Sequence, residues 1–238
     1  MRKVLITVIG TLLSVTAINT NNSAQAIILA STNEDSIADG AGFRSPRGVG
    51  NHFHDDPPVF GTPADVVEVG YFDSGRGTEE VRGVAEFDLR SLFSFSSVSL
   101  ATLSFDVLQQ GGLFAQPPAS FNLEVLAFLG NGSENLSDYQ IATVGSVGTL
   151  DTAALSAGTS ISLNVTSLVN SFLTNSDDFI GFRLQAPSNP TGRGAVVFDN
   201  FTIDADVQAV PEPCTILGLS LLAGLGYGMK RKFEQSKA

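Results

Sequence analysis

The sequence predicts an all-β protein: a single antiparallel β-sandwich of jelly-roll type with one short helix, framed by two apolar ends that lie outside the fold. Three observations lead there. Apolar and polar residues alternate at period two through most of the chain, turn-forming residues separate the alternating runs, and helical spacing is nearly absent.

The strands follow in order. Val67, Val69 and Tyr71 share one face of a strand, and Ala85, Phe87 and Leu89 share one in 84–89. Ala101, Leu103, Phe105 and Val107 do the same in 100–108. Further strands are read at 121–128, 161–165, 179–185 and 195–203. Between them stand Gly-Arg-Gly at 75–77 and again at 192–194, Gly111-Gly112, Pro117-Pro118 and Asn189-Pro190, all of them turn chemistry. A helix is expected at 167–172, capped by Thr166 or Ser167, with Leu168, Val169 and Phe172 inward. Residues 40–63 read as a long Gly/Pro-rich loop.

The two ends carry address chemistry. Arg2 and Lys3 form a basic start, 4–18 an apolar run, and Ala24-Gln25-Ala26 a small-residue cleavage site. Residues 1–26 are therefore expected to be a signal peptide that signal peptidase removes after Ala26. At the other end Pro211-Glu212-Pro213 precedes sixteen uncharged residues, 214–229, and then Lys230-Arg231-Lys232. As a helix those sixteen residues reach about 24 Å, slightly short of a bilayer core, with the basic cluster holding their end in the cytoplasm. A glycolipid-anchor signal fits less well, because such tails end apolar. This order resembles the PEP-CTERM sorting signal of exported bacterial proteins. The resemblance implies a membrane-embedded exosortase that processes the chain near Pro211, Glu212 and Pro213. The implied route is an inner-membrane intermediate and then the cell surface or the extracellular space. The domain boundaries are accordingly 1–26, 27–208 and 209–238.

A second resemblance covers the middle of the chain. Glu34 to Gly40 (EDSIADG), Arg82 to Leu89 (RGVAEFDL), Ala101 to Val107 (ATLSFDV) and Asn164 to Val169 (NVTSLV) are similar to successive blocks of DNRLRE-type domains. Those are secreted β-sandwich modules related to carbohydrate-binding jelly rolls. The likeness spans roughly residues 34–203 and rests mostly on core and turn positions, so it implies a fold more than a ligand.

Between Ile27 and Val210 there are 22 Asp and Glu against seven Arg and no Lys, a balance of −15. So acidic a surface repels nucleic acid and favours solubility outside the cell or cation binding. The lone Cys214 lies in the tail, so no disulfide framework supports the domain. Calcium is the candidate cofactor, through Asp35 and Asp39 near the first strand and Asp199 and Asp204 on the last, with Glu34 and Asn200 beside them; the alternative is that these are exposed carboxylates serving solubility. His52 and His54, two apart on an extended segment, form a candidate transition-metal pair with Asp55 or Asp56. No G-x-S-x-G or H-E-x-x-H motif occurs, and the only histidines are that pair, so a non-enzyme is predicted; a two-carboxylate hydrolase is the third-ranked reading. Sugar stacking is poorly supplied, because Trp is absent and only Tyr71 and Tyr139 lie in the mature domain. The sequence therefore points to a structural or adhesive surface protein with exopolysaccharide as its expected partner, and to a carbohydrate-binding module as the alternative.

Overall fold

In the computed structural model, which describes residues 24–39, 49–54, 66–74, 77–112, 120–187 and 193–209, one antiparallel sheet rolls until its edges nearly meet. Its strands are β1 (Gln25–Ala30), β2 (Asn33–Ala38), β3 (His52–Phe53), β4 (Val67–Ser74), β5 (Gly77–Asp88), β6 (Phe95–Gln110), β7 (Asn122–Leu129), β8 (Thr143–Asp151), β9 (Ser160–Asn164), β10 (Phe179–Gln185) and β11 (Gly194–Ala209). The helix α1 (Thr166–Asn175) lies between β9 and β10. Across the sheet the order is β8-β7-β10-β5-β4-β11-β6-β9. The end strands β8 and β9 approach each other; a Cβ added at Gly148 would stand 3.6 Å from Leu163. β2 pairs with β5 and β3, while β1 takes the edge of β11 beyond the point where β4 leaves it. No helix among the described residues is long and apolar enough to cross a membrane; the tail segment 214–229 lies outside them.

The inner face of the roll holds the main core. Phe87, Phe105, Phe182, Phe198 and Phe201 are all at most 1% exposed, with Leu103, Leu123 and Ile203 among them. Phe105 stacks on Phe201 at 4.6 Å and meets Phe198 edge-on at 5.4 Å. Those two partners are three residues apart, which plain alternation forbids. The ladder between β6 and β11 shifts register between Asp199 and Thr202, and Asn200 sits at φ 60, a left-handed conformation that Asn tolerates better than most residues. This bulge moves the inward set from Val196 and Phe198 to Phe201, Ile203, Ala205 and Val207. On β10 the lack of a side chain at Gly181 leaves the space that the Phe128 ring of β7 fills.

All seven expected strands are present, most of them longer than alternation indicated. Four more exist. β2, Asn-Glu-Asp-Ser-Ile-Ala, reads as turn chemistry, and β8 alternates through glycines, so neither presents an apolar period. β1 begins at Gln25, two residues ahead of the expected mature start. β3 lies inside the segment read as a loop. The helix needs a correction at its start. Val165 is its N-cap, with no side-chain cap, and Thr166 is its first residue. The Thr166 hydroxyl accepts the Ala101 N–H of β6 at 2.9 Å instead, tying the helix start to the sheet. Val169 and Phe172 are buried as expected, with Leu168 partly so. Pro117-Pro118 and Asn189-Pro190 lie outside the described residues.

Phe105→Ala should cost about 3–5 kcal/mol in urea unfolding, because it leaves a cavity between Phe198 and Phe201. Ile28→Ala, on a side chain 69% exposed, should stay within about 0.5 kcal/mol.

Candidate functional site

Strand β5 turns Ala85 and Phe87 into the core, so Arg82, Val84 and Glu86 project from the opposite face. Over that outer face lies the segment from Gly130 to Ile141, with a 3-10 turn at Leu136–Tyr139. Ile37, Val84, Phe128 and Tyr139 form a small second core beneath it. Two arginines fasten the segment. Arg183 Nη1 donates to the carbonyls of Asp138 (3.1 Å), Tyr139 (3.1 Å) and Ile141 (2.9 Å). Arg82 stacks 4.0 Å over the Tyr139 ring, donates to the Tyr139 carbonyl and pairs with Glu80. Burial, with Arg82 close by, lowers the Arg183 pKa to about 10.

Beside this clasp the same layer buries acids. Glu86, 1% exposed, accepts the N–H groups of Asn131 (3.1 Å) and Gly132 (2.7 Å) on Oε2, while its Oε1 is buried with no hydrogen-bond partner. Asp138, also 1% exposed, accepts the Asn135 N–H at 2.8 Å in a capping box. Burial raises the pKa of both. Glu134 is pushed up to about 9, first by burial and then by the charges of Asp35, Glu86, Asp138 and Glu34. Its Oε1 too is buried without a hydrogen bond. Carboxylates crowded in this way take up a proton or a cation, since each alone is costly to bury charged.

The structure distributes the acids expected to bind calcium between different places. Asp35 pairs in register with Val84 on the outer face of β5, and its charge adds to the upward shift of Glu134. Asp39, four residues further and so about 13 Å along the strand, accepts the Glu80 N–H at 2.9 Å. Asp199 and Asp204 lie on the far face of β11, where Asp204 is registered between Thr102 of β6 and Ile28 of β1. Glu34 does link the early and late strands: its Oε1 accepts the Phe201 N–H at 3.0 Å and the Ser31 hydroxyl. Together with Asp199, Asn200 and Thr202 it lines a polar cleft of about 410 Å³. Among the described residues no three His, Cys, Asp or Glu side chains already surround one point at metal-ligand spacing.

His52 and His54 do face the same side, with ring centroids 6.0 Å apart, but each meets a glutamate. His52 Nε2 lies 3.2 Å from Glu79 Oε1, and His54 Nδ1 lies 3.1 Å from Glu68 Oε2. Glu68 and Glu79 carry no sequence signal as partners, because they come from β4 and β5, which only the fold brings near these histidines. Asp55 and Asp56 lie outside the described residues, as do Pro211, Glu212 and Pro213. Of the expected cleavage residues, Ala24 precedes β1, and Ala26 lies within it opposite Asp206.

No family model matches the chain, and no curated protein does.

The raised Glu134 pKa has a definite sign. The folded state holds a proton that the unfolded chain releases near pH 4.5, so stability from this group is full below that pH and is lost as pH rises towards about 9. In chelator, the melting temperature of the wild type should therefore fall between about pH 5 and about pH 9 more steeply than that of Glu134→Gln. Parallel curves would show that Glu134 is not forced to hold a proton.

Proposed function

We propose that this chain is an exported structural or adhesive protein of the bacterial cell surface or extracellular matrix, its rolled sheet being a jelly-roll β-sandwich. The observation that carries the reading is the outer face of β9, β6 and β11. Its rows are Asn164–Thr102–Asp204, Ser162–Ser104–Thr202 and Ser160–Asp106–Asp199 in lateral register. These are short hydroxyl, amide and carboxylate side chains, braced by Ser160 donating to Asp106 (2.6 Å) and by the Ser104–Ser162 pair (3.3 Å). Such a surface suits broad, hydrated contact with a polyhydroxyl matrix rather than a reaction. The address chemistry of both ends supports the same reading: signal peptidase and an exosortase process the chain, which is held in the membrane only transiently.

The second reading is a carbohydrate-binding module. The polar cleft between Ser31 and Thr202 favours it, since its hydroxyl, amide and carboxylate groups match single sugars.

The mature surface form should begin at Ile27 and lack 214–238 by intact mass, and Pro211→Ala with Pro213→Ala should stay in the membrane fraction. A surface form that keeps the whole tail overturns the sorting claim. Ser104→Glu with Ser162→Glu should weaken co-sedimentation with matrix polysaccharide and leave the fold unchanged. Loss of binding only in Thr32→Ala or Asn33→Ala, in the cleft, would favour the second reading.

A further inference from the structure

We propose that a calcium ion binds between the 130–138 segment and strands β2 and β5, held by Glu86, Glu134 and Asp35 with Asp138 beside it. The argument begins with Glu86. One carboxylate oxygen is committed to the Asn131 and Gly132 N–H groups, which fixes the side chain and leaves Oε1 buried without a hydrogen bond. At 1% exposure that oxygen is closed to bulk solvent. A buried carboxylate oxygen in this position costs on the order of several kcal/mol unless a cation or a proton meets it.

Among the described residues, the two arginines of this layer are engaged elsewhere. Arg183, the basic group that bears on Asp138, spends Nη1 on three main-chain carbonyls and Nε on Gln185 (3.0 Å). Arg82 is committed to Glu80 and the Tyr139 carbonyl. A second buried oxygen without a hydrogen bond belongs to Glu134, across the same space. The segment itself, Gly-Asn-Gly-Ser-Glu-Asn, is rich in oxygen donors, and Gly132 at φ +80 bends it around the Glu86 carboxylate.

The donor set selects the ion. Every group is a hard oxygen and no imidazole belongs to the cluster, which excludes a zinc-type site. Because no three acids among the described residues stand at ligand spacing, the ion has to draw flexible side chains inward. Calcium accepts six to eight oxygens in irregular geometry, whereas magnesium demands a tight octahedron and keeps its water.

The test uses the full chain stripped with chelator. Calorimetric titration with calcium chloride should show one ion per chain, and calcium at about a hundredfold its Kd should raise the melting temperature by about 5–10 °C. Magnesium should shift it far less. Glu86→Gln keeps an oxygen for the Asn131 and Gly132 N–H groups, so the segment stays tethered while the charge is lost, and this variant should lose the calcium response. Asp204→Asn, on the outer face of β11, should keep it. If Glu86→Gln does not fold, terbium emission sensitised by tyrosine in the wild type, displaced by calcium, reads the same site beside Tyr139. No heat and no melting shift at millimolar calcium overturn the proposal, as does a Glu86→Gln response equal to that of the wild type. A response lost in Asp204→Asn and kept in Glu86→Gln also overturns it, placing the ion on the outer face.

Discussion

The long ladder between β6 and β11 is the constraint on which the rest of the molecule depends. β11 carries β4 and then β1 on its other edge, so a register error there would misplace four strands at once. The pairing is held by the aromatic contact beneath it, where Phe105 of β6 sits between Phe198 and Phe201 of β11. That contact exists only because the bulge at Asn200 rotates the second half of β11 by one residue. The same irregularity puts the Phe201 N–H within reach of Glu34 and shapes the polar cleft at its side.

The second organising feature is the layer outside β5 and β10. A roll of this size buries its apolar residues inward, yet here charged side chains on the outer face are buried as well, under a segment with only a short 3-10 turn. Arg82 and Arg183 satisfy that segment's carbonyls, and Glu86 satisfies its N–H groups at the other end. The irregular backbone is thus covered by side chains rather than by a ladder, which keeps its polar groups paired away from water. The remaining cost falls on the acids, and it concentrates at Glu134.

Much of the fold was legible in the sequence because a rolled sheet writes its inner face as alternation. Phe87, Leu103 and Phe105 are inward for that reason, and Val169 and Phe172 follow from helical spacing. β2 escaped because four polar residues precede its only apolar pair, Ile37 and Ala38, so it carries no period, and β8 because glycine supplies no side chain to alternate. The clustered acids escaped for a different reason. Glu86 and Glu134 are 48 residues apart, and Glu86 occupies the outward phase of a strand whose inward phase looked ordinary. Asp35 was legible as a candidate, while its neighbours in space were not. The glutamates opposite His52 and His54 come from β5 and β4, and tertiary pairing of that kind leaves no local signature.

Gln25 lies opposite Val207, so β1 enters the sheet and β11 leaves it at one corner, on neighbouring antiparallel strands. This geometry fixes how the domain responds to force. Tension between the two ends opens the β1–β11 pair from its outer end, one backbone pair after another, which is the weak direction of a ladder. Tension on one end alone, with the opposing load spread over the outer face, pulls along β11 while β6 grips it over its length, so many hydrogen bonds must shear together. Holding the domain by both ends therefore makes it yield easily, and freeing one end turns the same strand pairing into a mechanical clamp.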